Sequence, residues 1–112
     1  MVSLIHPPMT NEALVQITRQ EVERYVGFSP QAELYPILDD EHQTYAVAII
    51  PHWPRQYPPD IVVMARVVED KVIIEVETTD KPLIDALMIN GGIPREQIVL
   101  AYAGETPSNT GK

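Results

Sequence analysis

The sequence predicts an α+β domain: an antiparallel β-sheet of four to five strands, with an N-terminal helix and a second short helix before the last strand. Apolar residues first recur every three or four positions, between residues 11 and 26. From residue 32 onward they fall in short β-branched runs separated by turn residues. Consecutive strands with short connections favour antiparallel pairing, with the helices packed on one face of the sheet.

Length and composition predict one domain spanning residues 1–112. A chain of 112 residues can bury about two-thirds of its surface, which is enough for one core. We expect residues 1–9 to form an irregular arm and residues 104–112 a frayed tail. No apolar run approaches the ~18 residues that cross a membrane. The absence of cysteine excludes disulfides and thiolate metal sites, and it fits a cytoplasmic protein.

The first helix is predicted between a cap at Thr10 or Asn11 and an end near Gly27. Leu14, Val22 and their neighbours at helical spacing form its apolar stripe.

Four strands are predicted next, at residues 32–38, 43–50, 60–68 and 71–78. Pro36 places the first of them at a sheet edge or a bulge, because proline cannot donate to a ladder. The segment 51–59 contains four prolines and is predicted to be a stiff surface loop. On the fourth strand, simple alternation puts Glu75 and Glu77 on the same face as Ile73.

The second helix is predicted to follow a cap at Thr79 or Asp80, with Pro82 in its first turn. Asn90-Gly91-Gly92 is a left-handed stop signal. A last extended segment at residues 97–102 would form an uncovered edge, which could pair with a second copy of the chain as a homo-oligomer.

The charge disfavours direct binding to nucleic acid. The formal net charge is −8, and no Lys or Arg lies between Arg24 and Arg55. Affinity for nucleic acid comes largely from basic side chains that displace counterions at phosphates. An acidic surface instead suits solubility or a basic protein partner.

No constellation of residues predicts catalysis, a metal site or a cofactor. Glu75 and Glu77 have no further ligands at readable spacing, so they are interpreted as a solvated sheet face. His6, His42 and His52 lack the spacing of a helical metal site. No phosphate loop, dinucleotide fingerprint or nucleophile elbow occurs. The chain is therefore predicted not to be an enzyme.

Two segments are candidate partner-binding surfaces. One is the proline-rich loop with its aromatic and basic residues, and the other is the acidic turn; the residues are His52, Trp53, Arg55, Tyr57, Asp39, Asp40 and Glu41. Trp, Tyr and Arg are enriched at the energetic centres of interfaces. Simple packing of Trp53 and a stacking platform for single-stranded nucleic acid remain alternatives.

Residues 71–87 (KVIIEVETTDKPLIDAL) and 92–100 (GIPREQIVL) resemble the XisI family, the fdxN element excision controlling factors of cyanobacteria. The chain departs from the family at Lys81-Pro82, where a glycine is usual, and in its C-terminal tail. The resemblance implies a non-enzymatic accessory role in programmed excision of a DNA element, through contacts with a XisH-like, nuclease-related partner. Alternatives are a DNA-binding, excisionase-like factor and an antitoxin-like inhibitor of a nuclease partner.

Overall fold

The computed structural model describes residues 8–107, which form two α-helices and one five-stranded sheet. The elements, in chain order, are α1 (Asn11–Glu23), β1 (Ala32–Asp39), β2 (Thr44–Pro51), β3 (Asp60–Val68), β4 (Lys71–Glu77), α2 (Leu83–Ile89) and β5 (Ile98–Leu100). Short 3₁₀ turns at Arg95–Gln97 and Ala101–Ala103 flank β5. No helix within the described residues is long and apolar enough to cross a membrane.

The strands lie in the order β1-β2-β3-β4-β5, which confirms the predicted α+β class with its two helices and five strands. The first three pairs are antiparallel, as expected. The last pair differs from the expectation, because β5 runs parallel to β4. Residues 78–97, which include α2, carry the chain back along the sheet before β5 begins. A crossover of this length is what a parallel pair requires.

Both helices pack on the same face of the sheet. Leu14 and Val22 of α1 and Leu83 and Leu87 of α2 join one buried cluster with inward residues of the central strands, which are Tyr45, Val47, Val63, Ala65, Val67, Val72 and Ile74. We call this the helix face, and the opposite side of the sheet the open face. The core is therefore a two-layer arrangement with a single covered sheet surface.

A β-bulge in β4 corrects the predicted placement of the two glutamates. Met64 pairs with Val76, but the next residue of β3, Ala65, pairs with Ile74, so Glu75 is the extra residue. A bulge shifts every later side chain to the other face. Glu77 consequently lies opposite Val63 on the helix face, and the prediction that the two glutamates share a face is wrong.

On the helix face, the side chain of Glu77 caps the N-terminus of α2, although Glu77 itself belongs to β4. Its Oε1 accepts a hydrogen bond from the backbone N–H of Leu83 at 2.5 Å. Its Oε2 accepts bonds from the backbone N–H and hydroxyl of Thr79. The residue at the N-cap position is Pro82, whose side chain makes no capping bond. The predicted cap at Thr79 or Asp80 is therefore replaced by a carboxylate that the bulge turned inward.

The ends of both helices depend on local backbone geometry. α1 ends at Glu23 rather than near Gly27, and the chain continues in i→i−3 hydrogen bonds through Val26. The left-handed stop after α2 is confirmed at Gly92, with φ of 70°. Gly91 has a different role: a Cβ there would lie 2.4 Å from Ile17 Cγ2. It allows α2 to approach α1 closely.

Both outer edges of the sheet are protected against pairing. Gln31 O accepts the N–H of His52, so the backbone groups of the odd-numbered residues of β1 bond to β2. The backbone N and C=O groups of the even-numbered residues, including Pro36, therefore point to the outer edge. Pro36 therefore removes a donor from the outer edge, as edge prolines commonly do. The predicted edge position of this strand is confirmed.

The other edge strand, β5, is only three residues long. Side chains of neighbouring residues already occupy two of its backbone hydrogen-bonding groups. Arg95 Nη1 donates to Ile98 O at 2.7 Å, and Glu105 Oε1 accepts the N–H of Leu100 at 2.9 Å. Arg95 and Glu105 also form an ion pair at 2.6 Å. These contacts hold Glu105 against the end of β5, while the frayed tail expected over residues 104–112 stays a prediction. The rest of that expected tail, 108–112, and most of the expected arm, 1–7, lie outside the described residues.

The buried amide of Gln97 joins three segments that are distant in sequence. Its Oε1 accepts the N–H of Met9 at 2.9 Å, and its Nε2 donates to Met9 O and Asp70 O at 3.1 and 3.0 Å. Gln97 is 3% exposed, so its side-chain amide has little access to water. The amide thus ties the chain before α1 and the β3–β4 turn to the start of β5.

Replacing Gln97 with alanine is expected to lower the free energy of unfolding by about 2 kcal/mol, since buried polar groups lose their partners. The melting temperature should fall by roughly 10 °C. The matched control is Gln16→Ala on the exposed side of α1, with an expected change within about 0.5 kcal/mol. Equal melting temperatures for the two variants would contradict the role of this amide.

The variant Glu105→Gln tests the contribution of Glu105 to stability, through the pH dependence of the free energy of unfolding. Hydrogen bonds from Leu100 and Arg95 lower the pKa of Glu105 below its ordinary value of 4.5. Its stabilisation is therefore complete above about pH 4.5 and is lost as pH falls through the lower, folded pKa. At pH 7 the variant should lose about 1 kcal/mol, and the difference from wild type should shrink near pH 3.

Urea unfolding at both pH values measures this difference. Glu96→Gln, an exposed neighbour, serves as the control. A gap between wild type and Glu105→Gln that stays constant down to pH 3 would refute the assignment.

Candidate functional site

The two predicted partner-binding segments lie at opposite ends of the β1–β2 hairpin. His52 and the residues after it leave the sheet beside Gln31, where the hairpin opens. Asp39 pairs with Thr44 at the closed end, next to the acidic turn. Eight residues of strand separate the two ends, which corresponds to roughly 26 Å. The structure therefore divides the seven candidate residues into two surfaces.

The Trp53 loop, residues 52–59, presents a stacked Trp–Arg pair. The Cζ of Arg55 lies 4.1 Å from the centroid of the Trp53 ring, a cation–π geometry. Arg55 Nε also donates to Pro51 O at 3.0 Å, which fixes the guanidinium against the end of β2. Trp53 remains 78% exposed and Tyr57 51% exposed. The alternative that Trp53 is an ordinary packing residue is not supported by this exposure.

The loop borders a small cavity, and a further exposed aromatic residue precedes β1. A cavity of about 240 Å³ is lined by Gln31, Pro51, His52, Pro54, Gln56 and Tyr57. Phe28, in the segment between α1 and β1, is 92% exposed and precedes the strand end that faces His52. Sequence reasoning missed Phe28. A lone aromatic between a helix end and Ser29-Pro30 was the available signal.

The acidic turn at the other end is largely occupied by its own hydrogen bonds. Asp39 Oδ1 accepts the N–H of His42 at 3.1 Å, and Oδ2 contacts His42 Nδ1 at 2.8 Å. These bonds from His42 lower the pKa of Asp39. Asp40 Oδ1 accepts from Tyr45 at 2.9 Å and from Arg19 at 3.2 Å. Asp39 and Asp40 therefore shape the turn, and Asp40 and Glu41 are its exposed acids.

Charge is separated along the hairpin. The β3–β4 turn, with Glu69 and Asp70, lies at the same end of the sheet as the acidic turn, and Asn11 and Gln43 link the two turns through side-chain hydrogen bonds. In contrast, residues 43–59 contain no Asp or Glu. The Trp53 loop itself thus carries Arg55 and no acid, although Asp60 follows it directly and Glu33 lies opposite Ile50 beside its base.

A groove of about 650 Å³ lies between the end of α1 and the start of α2. The carboxylate of Glu21 is 4% exposed and contacts Asn90 at 3.3 Å and Arg24 at 3.5 Å. Tyr25 donates its hydroxyl proton to the carbonyl of Lys81. Burial raises the pKa of Tyr25 to about 12, so the hydroxyl is protonated at neutral pH. Glu21 and Tyr25 thus link the end of α1 to the two ends of α2.

Within residues 8–107, no group of three or more His, Asp or Glu side chains could hold a metal ion. His42 and His52 lie at opposite ends of the hairpin, and His6 lies outside the described residues. The prediction that the chain binds no cofactor stays a prediction.

Comparison with known proteins assigns the family. The family model described as XisI protein matches residues 9–110. The chain belongs to the XisI family. The match spans nearly the whole chain, in agreement with the resemblance of residues 71–87 and 92–100, and the substitution at Lys81-Pro82 lies within it.

Two solved structures from Anabaena variabilis share the fold of this XisI family member. The fdxN element excision controlling factor XisI superposes with a TM-score of 0.69 at 18% identity, covering 90% of this chain and 92% of that one. A XisI-like protein gives a TM-score of 0.64 at 21% identity, with 88% and 86% of the two chains covered. A search of curated proteins finds no significant match.

The exposed position of Trp53, the single tryptophan of the chain, predicts its fluorescence. Native emission should already lie near the wavelength of an indole in water, and unfolding in urea should shift it little. Acrylamide should quench it readily, and Arg55→Ala should increase the quenching because the guanidinium no longer covers one ring face. A native spectrum that shifts strongly to longer wavelengths on unfolding would contradict this geometry.

Proposed function

We propose that this XisI family member is a non-enzymatic controlling factor in the excision of a DNA element, and that it acts through protein contacts in the cytoplasm. Family membership supports the process, since one relative with this fold carries the name fdxN element excision controlling factor. The net charge of −8 opposes a role that depends on direct contact with DNA phosphates.

The observation that carries the protein-contact proposal is the Trp53 loop. An indole that is 78% exposed and stacked on a fixed arginine is typical of an interface anchor. Four prolines in residues 51–59 and the bond from Arg55 to Pro51 hold the loop before binding. A preorganised loop loses less conformational entropy when a partner docks.

We propose a XisH-like, nuclease-related protein as the partner. The Trp53 loop would enter an apolar pocket of that protein, with Arg55 placed to meet an acidic group at the pocket rim. Arginine beside an aromatic ring can stack and donate two hydrogen bonds to one carboxylate. The aromatic Tyr57 and Phe28, exposed at the same end of the sheet, would extend the contact.

A variant of this proposal is an antitoxin-like role, in which the chain shields the DNA-binding surface of its partner. The acids of the two neighbouring turns, Glu41, Glu69 and Asp70, favour it because all three are exposed at one end of the molecule. A nuclease surface that binds phosphates is basic. This contact would use the end of the hairpin opposite the Trp53 loop.

The double variant Trp53→Ala with Arg55→Ala should weaken binding to the XisH-like partner by about 2 kcal/mol, which is close to thirtyfold in Kd. The test is co-expression with a tag on the partner only, then affinity capture and light scattering of the complex. The control is Tyr102→Ala, which removes a 44% exposed aromatic residue outside the loop.

Capture of the double variant at the wild-type level would remove the loop from the proposal. If only high salt releases the captured protein and the loop variant still binds, the contact belongs to the acidic end and the antitoxin-like variant is favoured. Failure of two folded chains to co-elute would refute the pairing with a XisH-like protein.

A further inference from the structure

The open face of the sheet carries an apolar surface that neither helix covers. Tyr35 and Ile37 of β1 are 44% and 45% exposed, and their neighbours toward β4 on the same face are Ala46, Ala48, Ile61, Met64 and Val76. Residues directly opposite in a ladder share a face. Both α-helices join the core on the other side. The 3₁₀ turn at Ala101–Ala103 contacts β4, and Ile73 of β4 and Val99 of β5 are buried on this side.

The shape of this surface is self-complementary, because a row of small side chains lies between rows of larger ones. Ala46 and Ala48 of β2 form a shallow trough between bulkier side chains of β1 and β3, because Ile37 pairs with Ala46 and Tyr35 with Ala48. On the β3 side, Met64 lies opposite Ala46 and Ile61 opposite Ala48. If two such faces meet about a two-fold axis that runs alongside β2, the bulky row of each copy enters the trough of the other. Every contact then occurs twice, as in an isologous interface.

The middle of the open face carries no unpaired charge, although the chain carries −8; exposed Glu33 lies on this face at one end of β1. The central rows are apolar, and Arg66 at their border is paired with Glu75 at 2.8 Å. Two copies that repel each other elsewhere can approach through such a neutral surface. A basic partner would gain little electrostatic attraction there, because the acidic turns lie at the end of the sheet.

The size of the face suits a small dimer interface. Strands β1 to β3 lie about 4.8 Å apart and are about eight residues long, which gives a surface of roughly 14 by 26 Å, on the order of 370 Å² for each copy. Two copies would bury roughly 700 Å² in total, which is the size of a weak, reversible contact. Pairing through the edges is disfavoured, since Pro36 interrupts β1 and Glu105 closes β5.

We propose that the open face is the interface between two copies of this chain, packed as an aligned β-sandwich. The sheets would cross at about −30°, as twisted sheets do when they pack face to face. The earlier expectation of self-association through residues 97–102 is replaced by association through the face. The Trp53 loop at the end of each hairpin stays available in this dimer.

Sedimentation velocity of the full chain, between about 1 and 100 µM, tests the proposal. Wild type should shift reversibly toward twice the 12.6 kDa chain mass. The shift should be stronger at 1 M than at 0.1 M NaCl, because the Debye length falls from about 10 to 3 Å and the repulsion between like-charged copies is screened.

Ile37→Lys is the test variant and Ile89→Lys the matched control. Both replace an exposed isoleucine, but Ile89 lies on α2, away from the open face, and is 79% exposed. Ile37→Lys should weaken the dimer by about tenfold or more, and Ile89→Lys should leave it unchanged. Tyr35→Lys provides a second variant, and circular dichroism confirms that each is folded.

Three results would overturn the proposal. Wild type that is monomeric at 100 µM in both salt concentrations would refute it. So would folded Ile37→Lys and Tyr35→Lys proteins that dimerise like wild type, or a dimer that dissociates at high salt. Loss of the dimer in the Trp53→Ala variant, with Ile37→Lys unaffected, would assign self-association to the loop instead.

Discussion

The architecture depends on the fact that a β-sheet has two faces and this chain supplies helices for only one of them. Burial of apolar surface is the main stabilising term in folding, and here it is concentrated between α1, α2 and the helix face. Side chains in the turns and connections hold the helices and strands of that layer together. Asp40 ties Arg19 of α1 to Tyr45 of β2, and the Gln97 amide ties the chain before α1 to the far edge. The open face of the sheet receives neither helix.

A single extra residue in β4 determines how the second helix is attached. The bulge at Glu75 turns Glu77 inward, where its carboxylate receives the first N–H of α2. The same shift leaves Glu75 on the open face beside Arg66. One backbone irregularity thus gives the chain a helix cap on one side of the sheet and a neutralised charge on the other. A carboxylate that accepts backbone N–H groups at a helix start is also favoured by the helix dipole.

The distribution of exposed groups gives the molecule three distinct surfaces. The Trp53 loop is aromatic and carries Arg55, the two turns at the opposite end are acidic, and the middle of the open face is apolar. Surfaces that differ this strongly in chemistry suit different partners. The proposed contacts with a partner and with a second copy would therefore use separate parts of the molecule.

The sequence by itself determined the elements, because each depends on local chemistry. Helical periodicity placed α1, β-branched runs placed β1 to β4, and Asn90-Gly91-Gly92 ended α2. The exposed Trp53 loop also followed from composition, since four prolines exclude regular structure there. Tertiary structure decided what depends on register and topology: the inward turn of Glu77, the parallel direction of β5, and the roughly 26 Å between the two candidate surfaces. A bulge or a crossover has no local signature, because its free energy comes from pairing with residues far away in the chain.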